Sequence, residues 1–264
     1  MIRAISIIGY GLMLVALSGC ATTHGADASA PPQPLTPQAV LAELAAGNKR
    51  FATGQARHPH ADPARRADVA AHGQHPIAAV VACSDSRVPV ELVLDQGIGD
   101  LFVIRVAGNV CATDETGSIE YAVEHLQTPL VVVMGHSQCG AVTAVVQHAH
   151  EHGNIARLVA RIEPAVEQVC HDHPELKEAA LLDECIRANV WHGIEDLFMH
   201  SPDVAERVEG GTLQIVGAVY DLASGRVTWL GSHPRQAEWL AAALRTGPAP
   251  APHHGSEPQA PAPR

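Results

Sequence analysis

Three residues of this chain, Cys83, His136 and Cys139, are of the types that hold a soft or borderline metal ion, and short apolar runs lead into them. Val80-Val81-Ala82 precedes Cys83, and Val131-Val132-Val133-Met134-Gly135 precedes His136, with Cys139 three residues further on. Two thiolates and an imidazole form a set that zinc favours. They leave the fourth tetrahedral position open, the arrangement of a catalytic rather than a scaffolding site. The plainer readings are a buried thiol pair beside a satisfied histidine, or a closed site completed by a fourth side chain. Asp85 and Arg87 follow Cys83 at a spacing of two. Extended backbone would put all three on one face, where the carboxylate can pair with the guanidinium beside the metal. That pairing keeps Asp85 off the ion.

For these side chains to converge, the runs that carry them must lie side by side. Both runs are short and β-branched, which suits strands buried on both faces, and an open parallel sheet builds its sites beyond the carboxyl ends of its strands. The pattern predicts strands over Ile77 to Ala82, Leu101 to Val106 and Leu130 to Met134. A fourth follows over Thr212 to Tyr220, which Ser224-Gly225 turns into a hairpin partner over Val227 to Leu230. Helical spacing predicts a first helix opened by Thr36 as cap and Pro37, carrying Val40, Leu41 and Leu44 and ended by Gly47. Phe51 to Gly73 lacks a period and is expected to be loop with a short helix around Ala64 to Ala71. A helix is expected from Cys139 to about His150, another over Ile155 to Val169, and a third over Leu181 to Phe198. Alternating strands and helices imply parallel pairing with right-handed crossovers, hence an α/β fold.

With 264 residues and 47% hydrophobic content, the chain can bury one sizeable core. A formal charge of −11 argues against nucleic acid, whose phosphates require a basic surface. Seventeen histidines make that charge sensitive to pH. The alternating His148, His150 and His152, like His171 and His173, are read as solvated surface. The competing role for the first three is proton buffering.

Cys83-Ser84-Asp85-Ser86-Arg87 with the later Gly135-His136-Ser137-Gln138-Cys139-Gly140 resembles the β-class carbonic anhydrases. Further segments resemble that family in the same order, from Leu44-Ala45-Ala46-Gly47-Asn48-Lys49-Arg50-Phe51 through the stretch Asp95 to Asn109, Ser118 to Val123 and Val216 to Asp221. The likeness runs from about Leu41 to about Leu230. It implies a four-stranded parallel sheet with an additional edge strand, flanked by helices. It also implies one Zn2+ per chain on Cys83, His136 and Cys139, and reversible hydration of carbon dioxide to bicarbonate by attack of zinc-bound hydroxide. In that reading Asp85 accepts the hydroxide's hydrogen bond and aims it, and Arg87 fixes the carboxylate. Gln74 would bind bicarbonate, Gly140 would border the substrate space, and Phe102 and Tyr121 would line the pocket, Tyr121 from the partner of a homodimer or higher even oligomer. Ala107 stands where some members carry a bulkier valine. Phe51 stands where members that close their site carry a tryptophan, so the resemblance implies a site that rests open at neutral pH. A carbon disulfide hydrolase on the same scaffold and a non-catalytic zinc-holding lipoprotein are the alternatives.

At the N-terminus, Met1-Ile2-Arg3 and the apolar run Ala4 to Leu17 read as an export signal, and Leu17-Ser18-Gly19-Cys20 resembles a bacterial lipobox. The expectation is a signal over 1–19, a lipid-anchored Cys20 opening a tether over 20–36, a catalytic domain over 37–245 and a Pro/Ala-rich tail over 246–264. A plain signal peptide cut near Ala21 is the alternative. The anchored reading places the protein in the periplasm. Ala21, where an aspartate would favour inner-membrane retention, favours the outer membrane. Of six cysteines, Cys111, Cys170 and Cys185 remain. A Cys170 to Cys185 disulfide is possible, but helices antiparallel about His173-Pro174 set residue 170 opposite about 178. A free Cys185 facing the core is therefore preferred.

Overall fold

The runs of Val and Ala that mark the strands are buried because the sheet they form is covered on both faces. The computed structural model describes residues 35–246. The expected signal, Cys20 and nearly all of the tether and tail lie outside the described residues. Strands β1 (Ala78–Ala82), β2 (Leu101–Arg105), β3 (Leu130–His136), β4 (Gln214–Tyr220) and β5 (Val227–Gly231) form one sheet in the order β2-β1-β3-β4-β5. The first four are parallel, and β5 pairs antiparallel with β4 at the edge, as the sequence implies. Every residue of β1 and β3 is buried.

Strand parity sorts the core into two layers. Ala79, Val81, Val131, Val133 and Ile215 face one side, where helices α4 (Thr113–Glu124), α8 (Glu178–His200), α9 (Pro202–Glu209) and α10 (Gln236–Thr246) supply Ile119, Val190, Ile194, Leu197, Val204 and Trp239. Ala78, Val80, Ala82, Leu130, Val132 and Met134 face the other, against Val40 and Leu44 of α1 (Pro37–Ala52) and Val90 and Val93 of the short α3 (Val90–Val93). A third cluster, around Cys83 and Cys139, draws Val142 from α5 (Gly140–Val146), Val166 and Val169 from α7 (Glu163–Asp172), and Cys185 and Ile186 from α8.

Several boundaries depart from the sequence reading. Thr36 caps α1, accepting the Ala39 N–H at 3.2 Å. The helix does not stop at Gly47 but runs on to Ala52. Gly47 serves close approach instead: a Cβ there would lie 2.0 Å from the Leu94 carbonyl oxygen. Asn48, one residue on, donates to Val93 O at 3.1 Å and Gly225 O at 2.9 Å and accepts from Val227 N at 2.8 Å, fastening α1 to the β4–β5 hairpin. The short helix expected near residue 64 is α2 (Pro63–His72), capped by Asp62. α5 ends at Val146 rather than near His150, with His148 at φ 51 beyond it. The single helix expected over 155–169 is two, α6 (Gly153–Val159) and α7, because Pro164 has no N–H to continue the first and is suited to open the second. α10 has no counterpart in the sequence reading, although Trp239 and Ala243, four apart, form its buried stripe. All five described cysteines are free, Cys185 buried and Cys170 exposed. Among the described residues no helix is long and apolar enough to cross a membrane.

Candidate metal centre and catalytic site

The sheet register brings the two motif-bearing ends together. Ala82 is level with Met134 on β3 and Arg105 on β2, so Cys83 and His136 leave neighbouring strands at the same edge, and Cys139 is the last residue before α5. Cys83, His136 and Cys139 are all buried, and their ligand atoms lie within 4.8 Å of one another. Among the described residues this is the one group of its kind. His148, His150 and His152 are exposed and form no such group, in keeping with solvated surface.

The imidazole is fixed in orientation and tautomer. Its Nδ1 lies 2.9 Å from Ser137 O, which can only accept, so Nδ1 carries the proton and Nε2 presents its lone pair to the cysteines. That Nε2 is buried with no hydrogen-bond partner. Ser137 is itself held, its N–H on Tyr220 O at 2.9 Å and its hydroxyl accepting the Leu222 N–H at 2.9 Å. An orphaned lone pair converging with two sulfurs, in a pocket otherwise lined by Val110, Val142 and Ile162, is what a borderline cation requires. Hence these residues fit zinc.

The two thiols already behave unequally. Cys83 is held well below the ordinary thiol range, chiefly because the Cys139 thiol donates to it. Burial opposes this, and the Gly108 N–H assists it. Cys139 is pushed upward by the same pairing and by burial. The Gly108 N–H reaches Cys83 Sγ at 3.3 Å from a short turn over Ala107–Asn109.

Asp85 and Arg87 adopt the expected pair. Arg87 donates Nε to Oδ1 at 2.9 Å and Nη2 to Oδ2 at 2.8 Å, while its backbone N–H also meets Oδ1 at 2.9 Å. That guanidinium holds the Asp85 carboxyl far below the usual range despite partial burial. Asp85 Oδ2 stands 3.9 Å from His136 Nε2. Sequence reasoning missed Arg105, which ends β2 and bonds Cys83 O at 3.1 and 3.2 Å and Asp85 O at 2.6 Å, pinning the backbone between ligand and carboxylate. A lone arginine closing an apolar strand was the available signal.

The remaining expected site residues divide. Gly140 opens α5 directly after Cys139, and a Cβ there would meet nothing within 4 Å, so the space beside it is free. Gln74, Phe102 and Tyr121 are not brought to this cluster by their own chain. Gln74 is exposed and precedes β1, at the end opposite to Cys83. Phe102 is level with Ala79, four residues or about 13 Å short of Cys83. Tyr121, 47% exposed, packs against Phe102 with the rings tilted and their centroids 6.0 Å apart.

Residues 78–227 match the carbonic anhydrase family model. The chain is 40% identical over 194 residues to carbonic anhydrase 2 of Mycobacterium tuberculosis, covering 72% of this chain and 91% of that one. It belongs to the carbonic anhydrase family. The class is the β class, as the solved structures it resembles agree. The β-carbonic anhydrase CafA of Aspergillus fumigatus is 28% identical with a TM-score of 0.64, over 79% of this chain and 99% of that one. A tetrameric β-carbonic anhydrase of Sordaria macrospora is 27% identical with a TM-score of 0.60, over 71% and 94%. The four parallel strands, the edge strand and the convergent Cys, His and Cys are thus features of a β-carbonic anhydrase.

Proposed function

We propose that the chain catalyses the reversible hydration of carbon dioxide to bicarbonate and a proton, with one zinc per chain. The observation that carries this reading is the orphaned His136 Nε2 facing Cys83 and Cys139 beside an Asp85 that Arg87 keeps from joining them. Zinc bound there supplies the Lewis acidity that makes a nucleophile of water near neutral pH. The protein's own residues do the rest. Ionised Asp85 can only accept, and its Oδ2, 3.9 Å from His136 Nε2, would be placed to take a hydrogen bond from water or hydroxide beside the three ligands. Arg87 fixes that carboxylate in a two-point grip that a single ammonium could not reproduce. Val110, Val142 and Ile162 pack in one buried apolar cluster with both cysteines, while the space beside Gly140 is open.

The site is completed by a second copy, giving a dimer or higher even oligomer. Two features support this. Phe102 and Tyr121 form a partly exposed aromatic pair far from their own cluster, and β2, which carries Phe102, lies at the sheet edge opposite β5, with no neighbouring strand beyond it among the described residues. Gln74 lies at the same end. The Sordaria structures, described as tetrameric, agree with an even assembly. The lipobox-like Leu17-Ser18-Gly19-Cys20 supports export and anchoring through Cys20 in the periplasm. Cys20→Ser in a Gram-negative host should then abolish lipid labelling, and persistent labelling would refute the anchor.

The activity is tested by exchange of labelled oxygen between carbon dioxide and water, with Cys83→Ala as control. Exchange in the wild type and none above background in the variant is expected. A zinc-loaded wild type without exchange would overturn the reading.

A further inference from the structure

Asn189 is a buried amide in an apolar helix face. It lies on α8, is 2% exposed, and is flanked by Ala188 and Val190. Burying an amide is costly unless its groups find partners. Its Nδ2 does so, donating at 2.7 Å to the carbonyl of Gly108, 81 residues earlier in the chain. Gly108 has φ +75, and a Cβ there would lie 2.6 Å from Ile162 Cδ1 and 3.2 Å from Ala141 Cβ, so the turn is packed too closely for another residue. The N–H of this same glycine donates to Cys83 Sγ. Its carbonyl is thus gripped from α8 while its N–H is aimed at a ligand sulfur.

We propose that Asn189 is a positioning residue for the metal centre: by holding the Gly108 carbonyl it fixes the turn so that the Gly108 N–H bonds the Cys83 thiolate and tempers its donation to zinc. The inference rests on the zinc reading above. A hydrogen bond to a thiolate withdraws charge from sulfur, and partners of this kind, one step removed from the metal, typically alter metal affinity or activity 10- to 100-fold. Gly193, one turn on, faces the same segment, its hypothetical Cβ 3.6 Å from Asn109 O and from Cys111 Sγ. The α8 surface is thereby shaped to the turn, with Asn189 its polar contact to Gly108.

The test uses the full protein loaded with cobalt in place of zinc. In Asn189→Leu the sulfur-to-cobalt charge-transfer band should move to longer wavelength as the sulfur regains charge, and the zinc dissociation constant should rise about 10- to 100-fold because the freed turn no longer holds Cys83 in place, which outweighs the stronger donation. Leu197→Ala removes a fully buried side chain two turns along α8, and it should lower thermal stability yet leave band and affinity unmoved. An unshifted band in Asn189→Leu overturns the proposal, as does an equal shift in Leu197→Ala, which would make the effect one of packing. A second variant, Asn189→Asp, sets an acceptor against the Gly108 carbonyl and should shift the band in the same direction. If neither variant folds, wild-type protein loaded with 113Cd decides. The Gly108 amide proton should show coupling to cadmium through Sγ, and its absence overturns the inference. A wild type that takes up no cobalt would overturn the zinc reading itself before any variant is compared.

Discussion

Removing the Arg87 side chain should cost activity without costing metal. Asp85 Oδ2 is 3.9 Å from His136 Nε2, so the carboxylate stands beside the three ligands without joining them. What holds it there are the two side-chain bonds from Arg87 at 2.9 and 2.8 Å. In Arg87→Ala the backbone N–H of residue 87 remains on Oδ1, but Oδ2 is released to swing into the open position. The carboxylate then occupies the place of the nucleophile, and misplacement on this scale costs about 10²-fold in rate. Zinc content should be unchanged, since Arg87 is half exposed and touches none of the three ligand side chains. Arg87→Lys keeps the charge but not the fork, so its loss should be intermediate. Labelled-oxygen exchange at pH 7, with zinc measured on the same samples and guanidinium added to the medium to restore the missing grip, makes the comparison. Wild-type exchange by a zinc-replete Arg87→Ala protein would refute the argument.

Other outcomes follow from the same geometry. His136→Ala leaves two sulfur ligands, and dialysed protein should retain only a small fraction of its zinc; full occupancy would remove His136 from the ligand set. Arg50→Met strands the wholly buried Asp95 carboxylate, whose partners are the Arg50 guanidinium and the N–H groups of Arg57 and His58, and should destabilise the fold by about 3–5 kcal/mol in denaturant titration. Burial would raise the Asp95 pKa, but these partners outweigh it and leave it lowered. Its contribution is therefore present above about pH 4 and lost as pH falls through the lowered value, so Asp95→Asn should flatten that acid limb; an unaltered limb would count against it. Gly47→Ala drives a methyl into the Leu94 carbonyl and should cost about 3 kcal/mol or more in thermal unfolding, whereas a reading of Gly47 as a helix end would expect only about 1–2 kcal/mol.

Much of the sheet was legible because its strands are dense in β-branched residues and buried on both faces, which leaves a contiguous apolar signature. The metal ligands were legible because they follow those runs directly. Glycine was misread where its role was tertiary: Gly47 looks the same in sequence whether it ends a helix or admits a carbonyl from α3's far end. The break between α6 and α7 carried a signal in Pro164 that the apolar spacing around it masked. Arg105 offered a signal as a lone arginine closing an apolar strand, but what it and Asn189 bond was beyond sequence reasoning for a different reason. Each acts on backbone groups 20 to 81 residues away, and no local pattern encodes such a pairing. Gln74, Phe102 and Tyr121 could be named from resemblance, but their own chain does not bring them to the Cys83 cluster.

The clasp that Asn48 forms also sets a schedule. Its side chain is satisfied by Val93 and by the hairpin at Gly225 and Val227, the latter partners 177 and 179 residues downstream. At a synthesis rate of about 5–20 residues per second, roughly 9–36 s pass between the appearance of Asn48 and that of Val227. During that interval α1 has no completed seat, and Val40 and Leu44 have no finished layer to enter. Contacts of such separation form late and make folding slow. The first helix of the chain is thus seated only once its last strands exist, so the hairpin at the end of the sheet decides when the beginning of the chain is locked.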